Sequence, residues 1–231
     1  MTEAEWLRSN DPRLLVDWLS FDALASDRKL RLFSVAACNP LRHLVANPGV
    51  LAALDLAEAF ADGRIDEAAL QVARRPLWEA YHARHNAPGG VEAVTAEAGD
   101  AECACLHTTL PDVPRDRDGH SDLYPPTPEV VGLICRLDSS RPSFRRLVTL
   151  LHDVFGPLPF RDIALAPSWL TSDVQLLARG IYEDKAFDRM PILADALEDA
   201  GCDSVDLLNH CRGNRPHVRG CWVLDLMLGE E

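Results

Sequence analysis

The sequence predicts an all-α fold, a multi-helix array of helical hairpins with about ten helices and no substantial sheet. Three observations predict it. Apolar residues recur at the three- and four-residue spacing of a helix face over nearly the whole chain. Helix starts, marked by Ser, Thr, Asp or Asn ahead of a Pro or an acidic turn, alternate with Gly and Pro stops. No pair of alternating segments joined by hairpin-turn residues occurs.

Each element has its own signal. Thr2 with Glu5 is a capping box that opens a short first helix. Asp11-Pro12 supplies an N-cap and a Pro at the first helical position, with Leu14, Leu15, Trp18 and Leu19 as the apolar face. Ser26-Asp27 starts a third helix carrying Leu30, Phe33, Val35, Ala36 and Ala37, which stops before Pro40 because proline disfavours helix in the residue preceding it. Pro48 opens a fourth, with Val50, Leu51, Leu54, Leu56, Ala57 and Phe60 inward, and Gly63 closes it. Residues 66–86 make a long Ala-rich helix with Leu70, Ala73, Leu77, Trp78 and Tyr81 on one side, broken by Pro88-Gly89-Gly90. Residues 91–107 are expected to be helical in part.

Residues 110–128 (LPDVPRDRDGHSDLYPPTP) carry too much proline and charge for a helix or a central strand. They predict a linker between an N-terminal helical half, 1–109, and a C-terminal half, 129–231. A long loop inside one domain is the alternative. Beyond it, Thr127-Pro128-Glu129 starts a helix with Val130, Val131, Leu133, Ile134 and Leu137, and residues 143–155 repeat the pattern through Phe144, Leu147, Val148, Leu151 and Phe155. Residues 156–169 are irregular, with a short extended piece expected at Ile163–Leu165. Helices follow at 173–182, capped by Thr171-Ser172-Asp173, at 189–200, closed by Gly201, at 204–212, ended by Gly213, and at 217–228, opened by Pro216 and ended by Gly229.

Composition narrows the function classes. The 231 residues suit one domain, or one with a small extension. A net charge of −13 argues against a general nucleic-acid or anionic-membrane binder, since both need a positive footprint. No run is long and apolar enough to span a bilayer. The opening MTEAEWLRSNDP lacks the basic-then-apolar layout of a signal peptide, so a cytoplasmic location is expected. Seven cysteines, an odd count, read as reduced and mostly buried thiols.

The two ends share a resemblance. The opening MTEAEW with SDRKLRLF (residues 26–33), and at the other end FRDIALAPSWLTSDV, ARGIYEDKAFDRMPILADALEDAGC and LLNHCRGNRPHVRGCWVLDLMLG, resemble a set of uncharacterised helical proteins of planctomycete-type bacteria. The resemblance implies a helical protein and implies no activity. Residues 110–128 depart from the Ala-rich middle of that set.

Two Cys/His clusters are the candidates for chemistry. The C-terminal one is Cys202, His210, Cys211, His217 and Cys221. Zinc takes four N or S ligands in a tetrahedron. His217 and Cys221, four apart, would share a helix face and meet one ion, with Cys202 and His210 completing the set. Without a metal, the same residues read as a packed helical hairpin in which His217 satisfies a helix end and the cysteines fill core. The central cluster is His82, His85, Cys103, Cys105 and His107, where a solvated helix end is the competing explanation. His152-Asp153, with His120 upstream and Asp195 or Asp225 downstream, resembles the metal motif of HD phosphohydrolases, although the dipeptide is common by chance in an acidic chain. No GxSxG, Gly-rich phosphate loop or HExxH is present. Arg141–Arg146 and Arg74-Arg75 read as solvated helix faces. Trp6, Trp18, Trp78, Trp169 and Trp222 read as core anchors on separate helices.

The sequence therefore predicts a non-catalytic helical interaction or accessory module with another protein as partner, and assigns no catalytic residue, cofactor or metal ligand. The alternative is a metal-dependent enzyme or a zinc-stabilised binding domain built on one of the two clusters.

Overall fold

The computed structural model describes residues 1–21, 25–86, 96–111 and 126–230, the side chains of residues 85 and 86 excepted. Among them are twelve α-helices, three short 3-10 turns and no strand. The all-α expectation holds. No helix among the described residues is long and apolar enough to cross a membrane.

The helices are α1 (Glu3–Arg8), α2 (Pro12–Phe21), α3 (Asp27–Cys38), α4 (Pro48–Ala61), α5 (Glu67–Asn86), α6 (Ala96–His107), α7 (Pro126–Leu137), α8 (Arg141–Phe155), α9 (Ser172–Asp184), α10 (Met190–Asp199), α11 (Val205–Arg212) and α12 (Trp222–Leu228). Their starts follow the sequence signals. Ser26 caps α3 by accepting from the Lys29 N–H, Asn47 caps α4 through the Gly49 N–H, and Thr171 caps α9 through the Val174 N–H. Gly63 and Gly229 take the left-handed conformation just past α4 and at the end of α12.

Two compact units divide the chain, one of Glu3–Val148 with Met1, the other of Thr149–Glu231 with Thr2. The boundary falls within α8, not in the proline-rich segment expected to separate the halves. Residues 112–125 of that segment lie outside the described residues. The helices that flank it, α6 and α7, pack on each other inside the first unit, so the segment joins two neighbours. In the first unit α3 packs on α4, and α2 on α7, around Leu15, Leu19, Phe33, Leu54, Leu106 and Ile134. In the second unit α9, α10, α11 and α12 close over Val174, Ile181, Met190, Leu193, Leu197, Leu207, Trp222 and Leu224.

Three local expectations are corrected. Leu14 of α2 is 59% exposed, and Val16 takes the buried position instead. Ile163–Leu165 forms no strand; the stretch runs as irregular chain. It is tied to α11 by the bidentate pair of Arg161 with Asp206, at 2.8 and 3.0 Å. The last helix begins at Trp222 and not near Pro216. Residues 213–221 form a loop whose end is fixed by a turn, with Cys221 N–H donating to the Val218 carbonyl at 3.0 Å. Gly220 sits in that turn at φ 84°, which a side chain would resist.

Candidate metal centre

The second unit brings four chemistry-bearing side chains together. Asp153 comes from the last turn of α8, His210 from the last turn of α11, His217 from the loop 213–221, and Cys221 from the residue that precedes α12. One ligand atom from each lies within 4.8 Å of the other three.

Asp153 organises them. It lies among the buried apolar residues Leu150, Leu151, Val154 and Phe155 and is 2% exposed. A carboxylate there is doubly unfavourable, being desolvated and near the negative end of the helix dipole. It is stabilised by three donors. His217 Nδ1 donates to Oδ1 at 2.6 Å, His210 Nε2 lies 3.2 Å from the same oxygen, and the Val218 N–H donates to Oδ2 at 2.9 Å. The loop after α11 is therefore pinned to α8 by side-chain and backbone bonds on one carboxylate.

The thiol completes the group. Cys221 Sγ lies 3.2 Å from His210 Nε2 and 3.8 Å from His217 Nδ1. Trp222, the next residue, donates its indole N–H to His210 Nδ1 at 2.9 Å. An indole nitrogen only donates, so His210 Nδ1 accepts and its proton sits on Nε2, facing Asp153 and Cys221. His217 Nε2 is buried without a hydrogen-bond partner. Trp222 is held in turn by Gly156, the residue after α8, at φ 52°, where an added Cβ would lie 2.5 Å from the indole Cδ1.

Burial and charge set the protonation. Burial pushes the Asp153 carboxyl up, but the hydrogen bonds and charge interactions of His210 and His217 outweigh it and hold it below its usual range. Burial lowers His210, with Asp153 opposing. Burial, reinforced by the Asp153 charge, pushes the Cys221 thiol far above its usual range. In the absence of a metal Cys221 is thus a protonated thiol.

The expected C-terminal set is revised in membership. His210, His217 and Cys221 converge, but Asp153 takes the place given to Cys202. Cys202 and Cys211 belong to the apolar core, and burial raises the Cys211 thiol to about 12. Cys221 and His217 share no helix face, because the chain between them is a loop. His217 satisfies no helix end; its partner is a carboxylate 64 positions away in sequence.

The central cluster disperses among the described residues. His82 is exposed and stacks on Trp78 at 5.2 Å. His107 meets the same indole edge-on, also at 5.2 Å, and burial lowers its pKa. Cys103 hydrogen-bonds Tyr81, and Cys105 is buried beside Cys38. The His85 side chain lies outside the described residues. Of the HD-like residues, only Asp153 reaches the centre. Asp195 pairs with Arg212 on the surface, Asp225 is buried in α12, and His120 lies outside the described residues. Within the basic spots, Arg146 donates to the Ala37 carbonyl at the end of α3 and Arg74 to the Thr109 carbonyl in the turn after α6. A groove of about 460 Å³ in the first unit, lined by Leu41, His43, Glu97, Asp138 and Arg146 among others, gathers no comparable set.

The sequence points to Asp153 only through the separate His152-Asp153 pair and not as a partner of His210, His217 and Cys221. The signal that could have found it is an acidic residue among apolar helical positions, near the helix end where its charge is least welcome. Comparison with known proteins returns no matching family model, no matching curated protein and no matching solved structure.

Proposed function

We propose that the protein is a non-catalytic helical module whose partner is another protein, and that the Asp153–His210–His217–Cys221 centre is structural. One observation carries the reading: the centre is closed. Cys221 is fully buried, Asp153 and His217 are 2% and 8% exposed, and the His210 side chain is 9% exposed. A nucleophilic cysteine needs a lowered pKa and an approach path. Here the thiol has neither. A catalytic metal needs an open coordination position, and four converging protein ligands leave none. The geometry supports a polar clasp that fixes the chain after α11 onto α8 and so sets the shape of the second unit.

Native thiol labelling tests this. Iodoacetamide on the folded chain, read cysteine by cysteine by mass spectrometry, is expected to leave Cys221 and Cys211 unmodified until denaturant is added. Stoichiometric alkylation of Cys221 within minutes under native conditions would overturn the structural reading in favour of an accessible, reactive site.

A further inference from the structure

We infer that the Asp153–His210–His217–Cys221 centre is a structural zinc site, an inference that rests on the closed, non-catalytic reading of the same four residues.

The donor set selects the ion. One sulfur, two imidazole nitrogens and one carboxylate oxygen suit zinc, whose structural sites are four-coordinate and tetrahedral. Calcium and magnesium take oxygen ligands, and copper(I) favours sulfur. Three of the donor separations are close to what zinc needs. Bonds of about 2.0–2.3 Å in a tetrahedron set neighbouring donors roughly 3.3–3.8 Å apart. The His210–Asp153 and His210–Cys221 separations are both 3.2 Å, and that of His217 and Cys221 is 3.8 Å. The 2.6 Å contact of His217 Nδ1 with Asp153 must open once the proton between them leaves, and the donor pairs that stand wider than this range, up to 4.8 Å, must close on the ion.

Proton accounting closes without a co-reactant. Zinc replaces the Cys221 S–H proton, which goes to solvent, so thiolate and carboxylate together balance the divalent ion. On His217 the proton moves from Nδ1 to Nε2, an atom with no partner to oppose the change. On His210 it moves from Nε2 to Nδ1, where it meets the Trp222 N–H; zinc binding therefore costs the Trp222–His210 hydrogen bond. Asp153 Oδ2 keeps the Val218 N–H, which orients the carboxylate for the ion.

The test uses the full chain, expressed with zinc and analysed for metal, then unfolded, stripped and refolded with cobalt(II). One equivalent of zinc per chain is expected. The cobalt form should show tetrahedral ligand-field bands and one thiolate charge-transfer band. Cys221→Ser should lose the charge-transfer band, and Cys211→Ser, altered in the core beside the site, should keep it. X-ray absorption on the unaltered zinc protein supplies a second readout that needs no refolded variant, with one sulfur and three nitrogen or oxygen ligands expected. A chain free of zinc after growth in zinc, a first shell with two or more sulfurs, or a charge-transfer band retained in Cys221→Ser would each overturn the assignment. A zinc-free chain whose Cys221 still resists alkylation overturns the zinc and leaves the structural reading standing. A zinc-loaded chain whose Cys221 alkylates rapidly supports the metal and overturns the structural reading.

Discussion

In the second unit a carboxylate, two imidazoles and a thiol meet around one point; in the first, His82, Cys103, Cys105 and His107 lie along α5 and α6 and turn to different neighbours. The residue types are nearly the same. The difference is what the buried carboxylate of each cluster collects. A buried anion collects donors, and Asp153 gathers His210 from the end of α11, and His217 and the Val218 N–H from the loop that follows it. The central segment also buries a carboxylate, Glu102 at 5% exposure, but it takes the Arg84 guanidinium as its partner and gathers neither imidazoles nor thiols. His82 and His107 settle on the faces and edges of Trp78, Cys103 on Tyr81 and Cys105 on Cys38. A list of metal-ligating residue types therefore says little until it is known which donors a nearby desolvated carboxylate takes.

The largest effect that would break this contrast is loss of the Asp153 carboxylate. Asp153→Ala leaves two buried imidazoles and a backbone N–H without their acceptor, and should cost about 3–5 kcal/mol of stability by urea denaturation. His82→Ala, on an exposed ring, should stay within about 0.5 kcal/mol. Equal costs for the two substitutions would erase the distinction between the clusters.

A smaller effect probes how the quartet is held. Gly156→Ala forces a left-handed backbone on a side chain and drives its Cβ into the Trp222 indole. It should cost about 1–3 kcal/mol and alter the Trp222 emission, because the ring that bonds His210 must shift. Unchanged emission and stability would mean that Trp222 does not depend on Gly156 for its place.

The smallest effect belongs to the dispersed cluster and reads through pH. Burial depresses the His107 pKa below 6.5, with no carboxylate restoring it fully. The unfolded chain then binds more protons than the folded one wherever His107 titrates, so its contribution to stability falls as the pH drops from the unfolded value toward the folded one. His107→Gln should flatten the stability profile between pH 6.5 and the folded pKa. A profile identical to that of the parent chain would show that His107 is not desolvated.

Most of the architecture was written in local signals. Ser26, Asn47 and Thr171 cap their helices because a short polar side chain reaches the free N–H groups of the first turn, and Gly63 and Gly229 end theirs because they accept a left-handed backbone. Such interactions act within a few residues, so their spacing is visible in the chain. His210, His217 and Cys221 were legible as a group for the same reason of proximity, although the helix assumed to join the last two was not there. Only the tertiary structure decided that Asp153 is their partner, that Cys202 and Cys211 go to the core, and that the compact units divide within α8. Those outcomes depend on which surfaces desolvate one another: a carboxylate on α8 becomes an organising charge only once α11 and the loop after it have closed over it and removed the water that would otherwise solvate it.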